Sequence, residues 1–402
     1  MLGLACSHAP EVVPAPETQV YQPLLRAIPQ SDGILLRWGW YTWDSTTYPP
    51  RVNPEAFEVL AGIAEPLQVV AQVPGDSTSL MLRGIDRERP YLFAVRGIAA
   101  GSKPSLSTPV MAQQGLLRTL HELMPGDPVH RFHATWSPDG RSVVYEREDA
   151  AGRDIYRYDL AGGAEYLLVP RGRRPVWGPE RDRVAFVYTS DSSQTGVPNN
   201  SLAVHSEQGI EGVYQDNASQ QWLAWHPGGA ALLTLADREQ AGAYSLWTVS
   251  LPDPTPRLLL SPPALPELET PEARSVHRPV WDPTGTQIAY ARFVQKGEAW
   301  ARDIFVYAPG GSETPLIVSA WNDHSPAWSP TGEQVAFFSD RSGRMAVWLY
   351  DLANGRLQQL CAGDQPRIDS ERSRLTWDAD GERLLFTALS ADGYARFCYI
   401  EL

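Results

Sequence analysis

The chain has 402 residues, 43% of them hydrophobic and 20% charged, with a formal net charge of −13. This length allows two or three domains and a large buried core, and so acidic a balance argues against nucleic-acid binding, which needs a basic footprint. The 35 prolines, 32 glycines, 14 tryptophans and 16 tyrosines favour turns and short strands; no amphipathic helix beyond about three turns is legible, and no apolar run approaches the ~20 residues of a membrane span.

Three cysteines, Cys6, Cys361 and Cys398, are too few for a disulfide framework. Cys361 and Cys398 read as two small buried thiols, or as a pair if the fold brings them together. At the N-terminus, "MLGLACS" places the small Ala5 just before Cys6. This resembles the end of a bacterial lipoprotein signal and implies a lipid anchor at Cys6. It departs from that pattern at Gly3, and it lacks the basic start and apolar stretch of a full signal. Either the start codon lies further upstream, which is the preferred reading, or the match is chance. The Pro-rich "SHAPEVVPAPET" then makes residues 1–16 a tether; the alternative is a frayed terminus.

Residues 17–114 read as a domain of alternating strands: "GILLRWGW", "EAFEVLAGI", "LQVVAQV", "STSLMLRGI" and "YLFAVRGIA". Ile85 stands six residues before Tyr91, and Phe93, Val95 and Gly97 follow at period two. This resembles the fibronectin type III domain, an immunoglobulin-like sandwich. The resemblance makes Trp38 its buried tryptophan and Tyr91 its tyrosine corner. The insertion Thr42 to Pro54 carries Trp43 and Tyr48. These are candidates for stacking on sugar or peptide, against the plainer reading that they pack on the neighbouring domain.

From residue 115 onward one unit recurs. "TWSPDG", "VWGPER", "AWHPGG", "VWDPTG", "AWSPTG" and "TWDADG" centre on Trp136, Trp177, Trp225, Trp281, Trp328 and Trp377. In each, an extended segment ends at the Trp, a Pro/Asp/Gly turn follows, and an apolar strand such as "TQIAYAR" or "EQVAFFS" comes next. A third strand and, in most copies, an outer strand complete it. A strand-built unit recurring at ~40–50 residues indicates a propeller blade, so six copies predict a six-bladed β-propeller. The sixth copy ends after its third strand, and "LLRTLHEL", Leu116 to Leu123, reads as the outer strand that closes the ring. "PVWDPTGTQIAY" and "PAWSPTGEQVAFFSDRSG" resemble the repeats of TolB-type propellers, over residues 116–402. That resemblance implies protein binding at the channel face. Prolyl-oligopeptidase-like enzymes and oligogalacturonate lyases share the repeats. Ser261 to Ser275, rich in Pro and Glu, reads as a surface loop or a docking site for a basic partner.

No G-x-S-x-G, Walker A, H-E-x-x-H or cysteine cluster occurs. "DADG", Asp378 to Gly381, is the repeat turn and not a calcium loop. The sequons at Asn199 and Asn217 matter only in a eukaryotic secretory pathway. Four residues before each Trp stand Phe132, Arg173, Gln221, His277, His324 and Ser373; one place later stand His133, Arg174, Arg278 and Arg374. These positions are expected near the channel mouth. Imidazole and amide groups converging there suit a transition metal, which makes Gln221, His277 and His324 candidate ligands of a divalent metal; no other cofactor is implied. The manganese site of oligogalacturonate lyases, built from His and Gln, resembles this. That family has seven blades, and its third His would have to be His133, which is out of register. Alternatively Arg173, Arg278 and Arg374 hold a carboxylate or phosphate, or the channel holds only water. The leading expectation is a monomeric, non-catalytic binding or scaffold protein of a bacterial cell envelope, periplasmic or surface-exposed. It would present the propeller and the sandwich to a protein or glycan partner, and touch the membrane only through Cys6. A carbohydrate-active lyase of acidic oligosaccharides comes second, and an extracytoplasmic sensor or assembly scaffold third.

Overall fold

A computed structural model describes residues 19–20, 23–40, 51–87, 89–102, 104–113, 118–124, 128–150, 152–180, 182–188, 201–215, 218–240, 243–251, 253–261, 275–296, 299–361 and 367–402. Cys6, the tether, Trp43, Tyr48, both sequon asparagines and nearly all of the segment from Ser261 to Ser275 lie outside these residues. The described chain is all-β. It divides into two compact units, Met1–Ile85 with Tyr91–Ala112, and Asp86–Pro90 with Gln113–Leu402.

In the first unit, Pro23–Gln30, Gly33–Trp40 and Ser79–Leu82 form one antiparallel sheet in that order. A second sheet runs Val110–Gln113, Pro90–Ile98, Ala56–Gly62, Gln68–Pro74, and Ser105–Leu106 also pairs with Pro90–Ile98. The alternation of apolar residues gives each sheet an inward face. Trp38, Leu36 and Ile34 from one sheet and Phe57, Val59, Phe93 and Val95 from the other share a single core. Trp38 meets Phe57 edge-on with ring centroids 5.5 Å apart. Tyr91 and Ile85 pack partly buried against the same core.

The second unit is built from six antiparallel sheets, one for each Trp repeat. Five have four strands in chain order. Their first strands are His130–Trp136, Gly172–Trp177, Gln220–Trp225, His277–Trp281 and Asp323–Trp328. In the sixth sheet the innermost position is shared by Arg367–Ile368 and Thr376–Trp377, both paired with Arg383–Leu389. Its outer strand is Leu120–Leu123, which pairs antiparallel with Ala395–Glu401, Leu120 opposite Ile400 and Leu123 opposite Phe397. The Trp-ended strands touch in cyclic order, and Thr376–Trp377 contacts both Asp323–Trp328 and His130–Trp136. The sheets therefore form a closed ring.

Turn chemistry explains why the copies repeat. Gly140, Gly229, Gly285, Gly332 and Gly381 all have φ between 66° and 75°, a region that L side chains enter only at a cost. Each glycine N–H donates to the carbonyl three residues back, as from Gly332 to Ser329 at 2.9 Å. The Trp indoles then lie between neighbouring sheets. Trp225 donates to Val176 O and Trp377 to Ala327 O, both at 3.0 Å and both in the preceding sheet. Arg157, Arg183 and Arg383, each from the preceding sheet, lie over Trp177, Trp225 and Trp136. Apolar clusters bridge neighbouring sheets. Ala134, Trp136, Val143 and Tyr145 of the first pack with Leu385 and Phe397 of the last. Cys361 and Cys398 are buried free thiols, and burial, with Glu122 and Cys361 nearby, pushes the Cys398 thiol up to about 12.

Among the described residues the fifth sheet holds the most enclosed ion pair. Arg341 and Asp323, with side chains 1% and 0% exposed, meet at 2.7 Å, and the guanidinium lies over the rings of Trp321, Phe337 and Trp348. Asp323→Asn strands a buried cation and is expected to cost about 3–5 kcal/mol. Chemical denaturation of the purified variant checks this; a loss under about 1 kcal/mol would mean that the pair is solvated, as surface pairs are.

Candidate anion-binding channel

The ring's first strands carry the residues singled out in the sequence, and a repeated irregularity aims them. In four sheets the ladder slips just before the Trp: between Phe132 and Thr135, Arg173 and Val176, His277 and Val280, and His324 and Ala327. At each slip one non-glycine residue takes a left-handed conformation: His133 at φ 54°, Arg174 at 52°, Arg278 at 50° and Ser325 at 56°. A bulge of this kind re-aims a side chain at the expense of backbone strain. The position three before the Trp thus holds His133, Arg174, Trp222, Arg278, Ser325 and Arg374 around the ring. Arginines alternate with other residues, on the second, fourth and sixth sheets.

Each of these arginines reaches beyond its own sheet. Arg174 donates from Nη2 to Gln221 Oε1 in the third sheet. Arg278 donates to Ser325 Oγ at 2.6 Å, to Ser373 O at 2.8 Å and to Glu371 O at 2.6 Å. Arg374 spans the ring from the sixth sheet to the third. Its Nη2 donates to Leu223 O at 2.8 Å, and its Cζ lies 3.9 Å from the centroid of the Trp222 ring. Arg278 faces the same ring at 5.6 Å, and His133 meets it edge-on at 6.1 Å. Trp222 and Arg374 together form a septum across the channel.

On one side of the septum lies a polar chamber of about 200 Å³. His133, Glu146, Arg153, Arg173, Arg174 and Gln221 line it. Glu146, 1% exposed, accepts from the Arg174 N–H at 2.5 Å and lies 3.5 Å from Arg153 and 3.9 Å from His133. Burial raises its carboxyl above the usual range, against the pull of Arg174, Arg153 and Arg173. Burial holds the His133 imidazole well below its ordinary value, and Arg174, Arg374, Arg278 and Arg153 push it the same way. Burial lowers Arg278 to about 10 and Arg374 to about 9, and for Arg374 the charges of Arg278 and Arg174 add to the effect.

Gln221 and one ring nitrogen of His324 already have partners. Gln221 accepts from Arg174 and donates to Ser219 Oγ. His324 Nδ1 shares a hydrogen with Ser325 Oγ at 2.8 Å, and its ring lies against Phe338, as His277 lies against Phe293. Among the described residues no three His, Cys, Asp or Glu side chains are placed to share a metal ion. Guanidinium groups all around favour an anion over a cation. A group of His277, His324 and Gln221 in this setting does not fit a divalent metal.

Three participants were not anticipated from the sequence: Trp222, Glu146 and Arg153. For Glu146 a signal exists. Opposite the residue four before the Trp, the second, fourth and fifth sheets place Val187, Ala291 and Phe338; the first sheet places Glu146. A carboxylate at an otherwise apolar repeat position marks a departure from packing.

Neither a family model nor a curated protein matches the chain. Solved structures do. An oligogalacturonate lyase in complex with manganese is 13% identical, over 96% of this chain and 98% of that one, with a TM-score of 0.50. A putative TolB from Agrobacterium tumefaciens is 17% identical over 69% and 91% with a TM-score of 0.48. TolB from Acinetobacter baumannii is 14% identical over 94% and 79% with a TM-score of 0.41. At such identities the likeness is one of fold, an all-β chain with propeller-like relatives.

The buried histidines give the protein an acid limb. Burial, followed by Arg278 and Arg302, holds the His324 imidazole well below 6.5. The folded state keeps it neutral, while the unfolded chain takes up a proton below pH ~6.5. Stability therefore falls with falling pH, by about 1.4 kcal/mol per unit below that point for this residue. The drop in melting temperature between pH 7.5 and 5.5 should be smaller in His324→Asn; an unchanged drop would remove His324 from the account.

Proposed function

We propose that this chain is a non-catalytic binding protein of the bacterial cell envelope, a fibronectin type III-like sandwich followed by a six-bladed, TolB-like propeller, and that it holds an anionic ligand in the propeller channel. The sandwich reading is supported by the Trp38 core and the position of Tyr91. The six-bladed reading is supported by six cyclically touching sheets and the strand supplied by Leu120–Leu123. The envelope reading rests on Cys6, and the class of partner, protein or glycan, on the TolB-type repeats. One observation carries the ligand. In a chain of net charge −13, Arg153, Arg173 and Arg174 line one polar chamber, in which Glu146 is the one carboxylate among the described residues. Arg153 is answered by Glu146 and Glu148, while the Arg173 and Arg174 guanidiniums donate to neutral oxygens of Arg153 and Gln221. Buried positive charge met only by neutral acceptors favours carboxylate or phosphate.

A second reading has its own observation. Glu146, a buried carboxyl with a raised pKa beside His133 in a cavity, is what a general acid or base looks like. An enzyme acting on acidic oligosaccharides would use it.

Thermal shift and calorimetry with an acidic trisaccharide, a neutral one and an acidic peptide separate these readings. Acidic ligands should bind, at about 100 times Kd adding about 2.7 kcal/mol of stability, with affinity falling as salt rises. Arg174→Gln should weaken binding by about tenfold or more. Binding without turnover supports the binding protein. Appearance of an unsaturated sugar product, abolished by Glu146→Gln, would replace it with the enzyme. Equal binding of neutral and acidic sugars would contradict both.

A further inference from the structure

On the other side of the septum the channel widens into a second cavity of about 410 Å³. All six repeat tryptophans and five of the turn prolines line it. This size lies within the range of small-ligand pockets, which are apolar with a few placed polar groups. Among its lining residues Arg374 is the one cationic side chain. Arg374 is 7% exposed, and its Nε has no partner among the described residues. The indole Nε1 atoms of Trp136, Trp281 and Trp328 are likewise buried without partners. Among the described side chains of the lining, the unpartnered polar atoms are donors. The two carboxylates in the lining are committed to their own turns. Asp282 accepts from the Thr286 and Gln287 N–H groups at 2.8 Å. Asp378 accepts from the Glu382 and Arg383 N–H groups at 2.9 Å and from Arg383 Nε at 2.7 Å.

We propose that this tryptophan-walled vestibule is a binding site for a small organic acid, an aromatic or aliphatic body in contact with the indoles and prolines and a carboxylate directed at Arg374. A buried, partly unsatisfied guanidinium wants an acceptor, and an anionic one most. The walls offer apolar indole and proline surface. A neutral ligand of the same shape would fill the walls and leave Arg374 unanswered. The site is separate from the polar chamber: the two cavities share no lining residue.

The test compares 3-phenylpropionate, 3-phenylpropanamide and propionate on the whole chain, read by tryptophan fluorescence and by melting temperature. The six lining indoles make fluorescence a local reporter. Phenylpropionate should bind saturably, about tenfold or more tighter than the amide, and propionate should bind more weakly for want of a body. Arg374→Gln, checked for folding by near-ultraviolet circular dichroism, should bind acid and amide alike, and Arg374→Lys should keep part of the preference. Equal binding of acid and amide to the natural chain would overturn the proposal, as would no binding of the acid up to about 10 mM. A folded Arg374→Gln that retains the preference would overturn it too. If that variant does not fold, the comparison on the natural chain decides.

Discussion

The second unit depends on one pairing between residues nearly three hundred positions apart. The last sheet finds its outer strand in Leu120–Leu123, upstream of the first sheet. Without that strand the ring would have a free edge and an opening between its first and last sheets. With it, Ala134, Trp136 and Tyr145 close over Leu385 and Phe397. The Arg396 guanidinium adds an ion pair to Glu122 at 2.9 Å. Closure also fixes the channel. Arg374 can bridge the sixth sheet and the third only because the ring brings them opposite each other.

Given a closed ring, the bulges decide what the channel presents. A regular strand would alternate its side chains and turn every second residue away. Inserting a left-handed residue three places before the Trp lets adjacent residues such as Arg173 and Arg174 line the same chamber. Glycine would relieve each strained position at little cost, yet His133, Arg174, Arg278 and Ser325 occupy them. Their side chains therefore matter more than backbone comfort, which points toward a site. The third sheet differs: it has Trp222 at this place, whose indole donates to Pro279 O of the fourth sheet and lies under Arg374.

Much of the fold was legible in the sequence because its signals are local. The Trp turns, their glycines and the alternating strands each act over a few residues, and the closing strand could be inferred from the one missing in the last copy. The convergence of charges was legible in outline. Its geometry was not, because a bulge shifts side-chain direction by one residue and leaves no mark in the spacing. His277 and His324 looked like converging ligands, but their rings rest on Phe293 and Phe338. Arg374 looked like one more residue at the mouth, yet it crosses the channel. Trp222 was hidden by the more regular tryptophan three residues later.

The central claim is that the channel's positive charge is a site for anions and not a set of structural crosslinks already satisfied. Crystals soaked in bromide test it directly, since anomalous scattering locates the ion without prior choice of ligand. The account predicts a bromide within hydrogen-bonding reach of Arg153, Arg173 or Arg174 in the polar chamber, or of Arg374 at the septum. Bromide found only on the outer surface, with the channel free of it, would contradict the account and leave the arginines as ties between sheets.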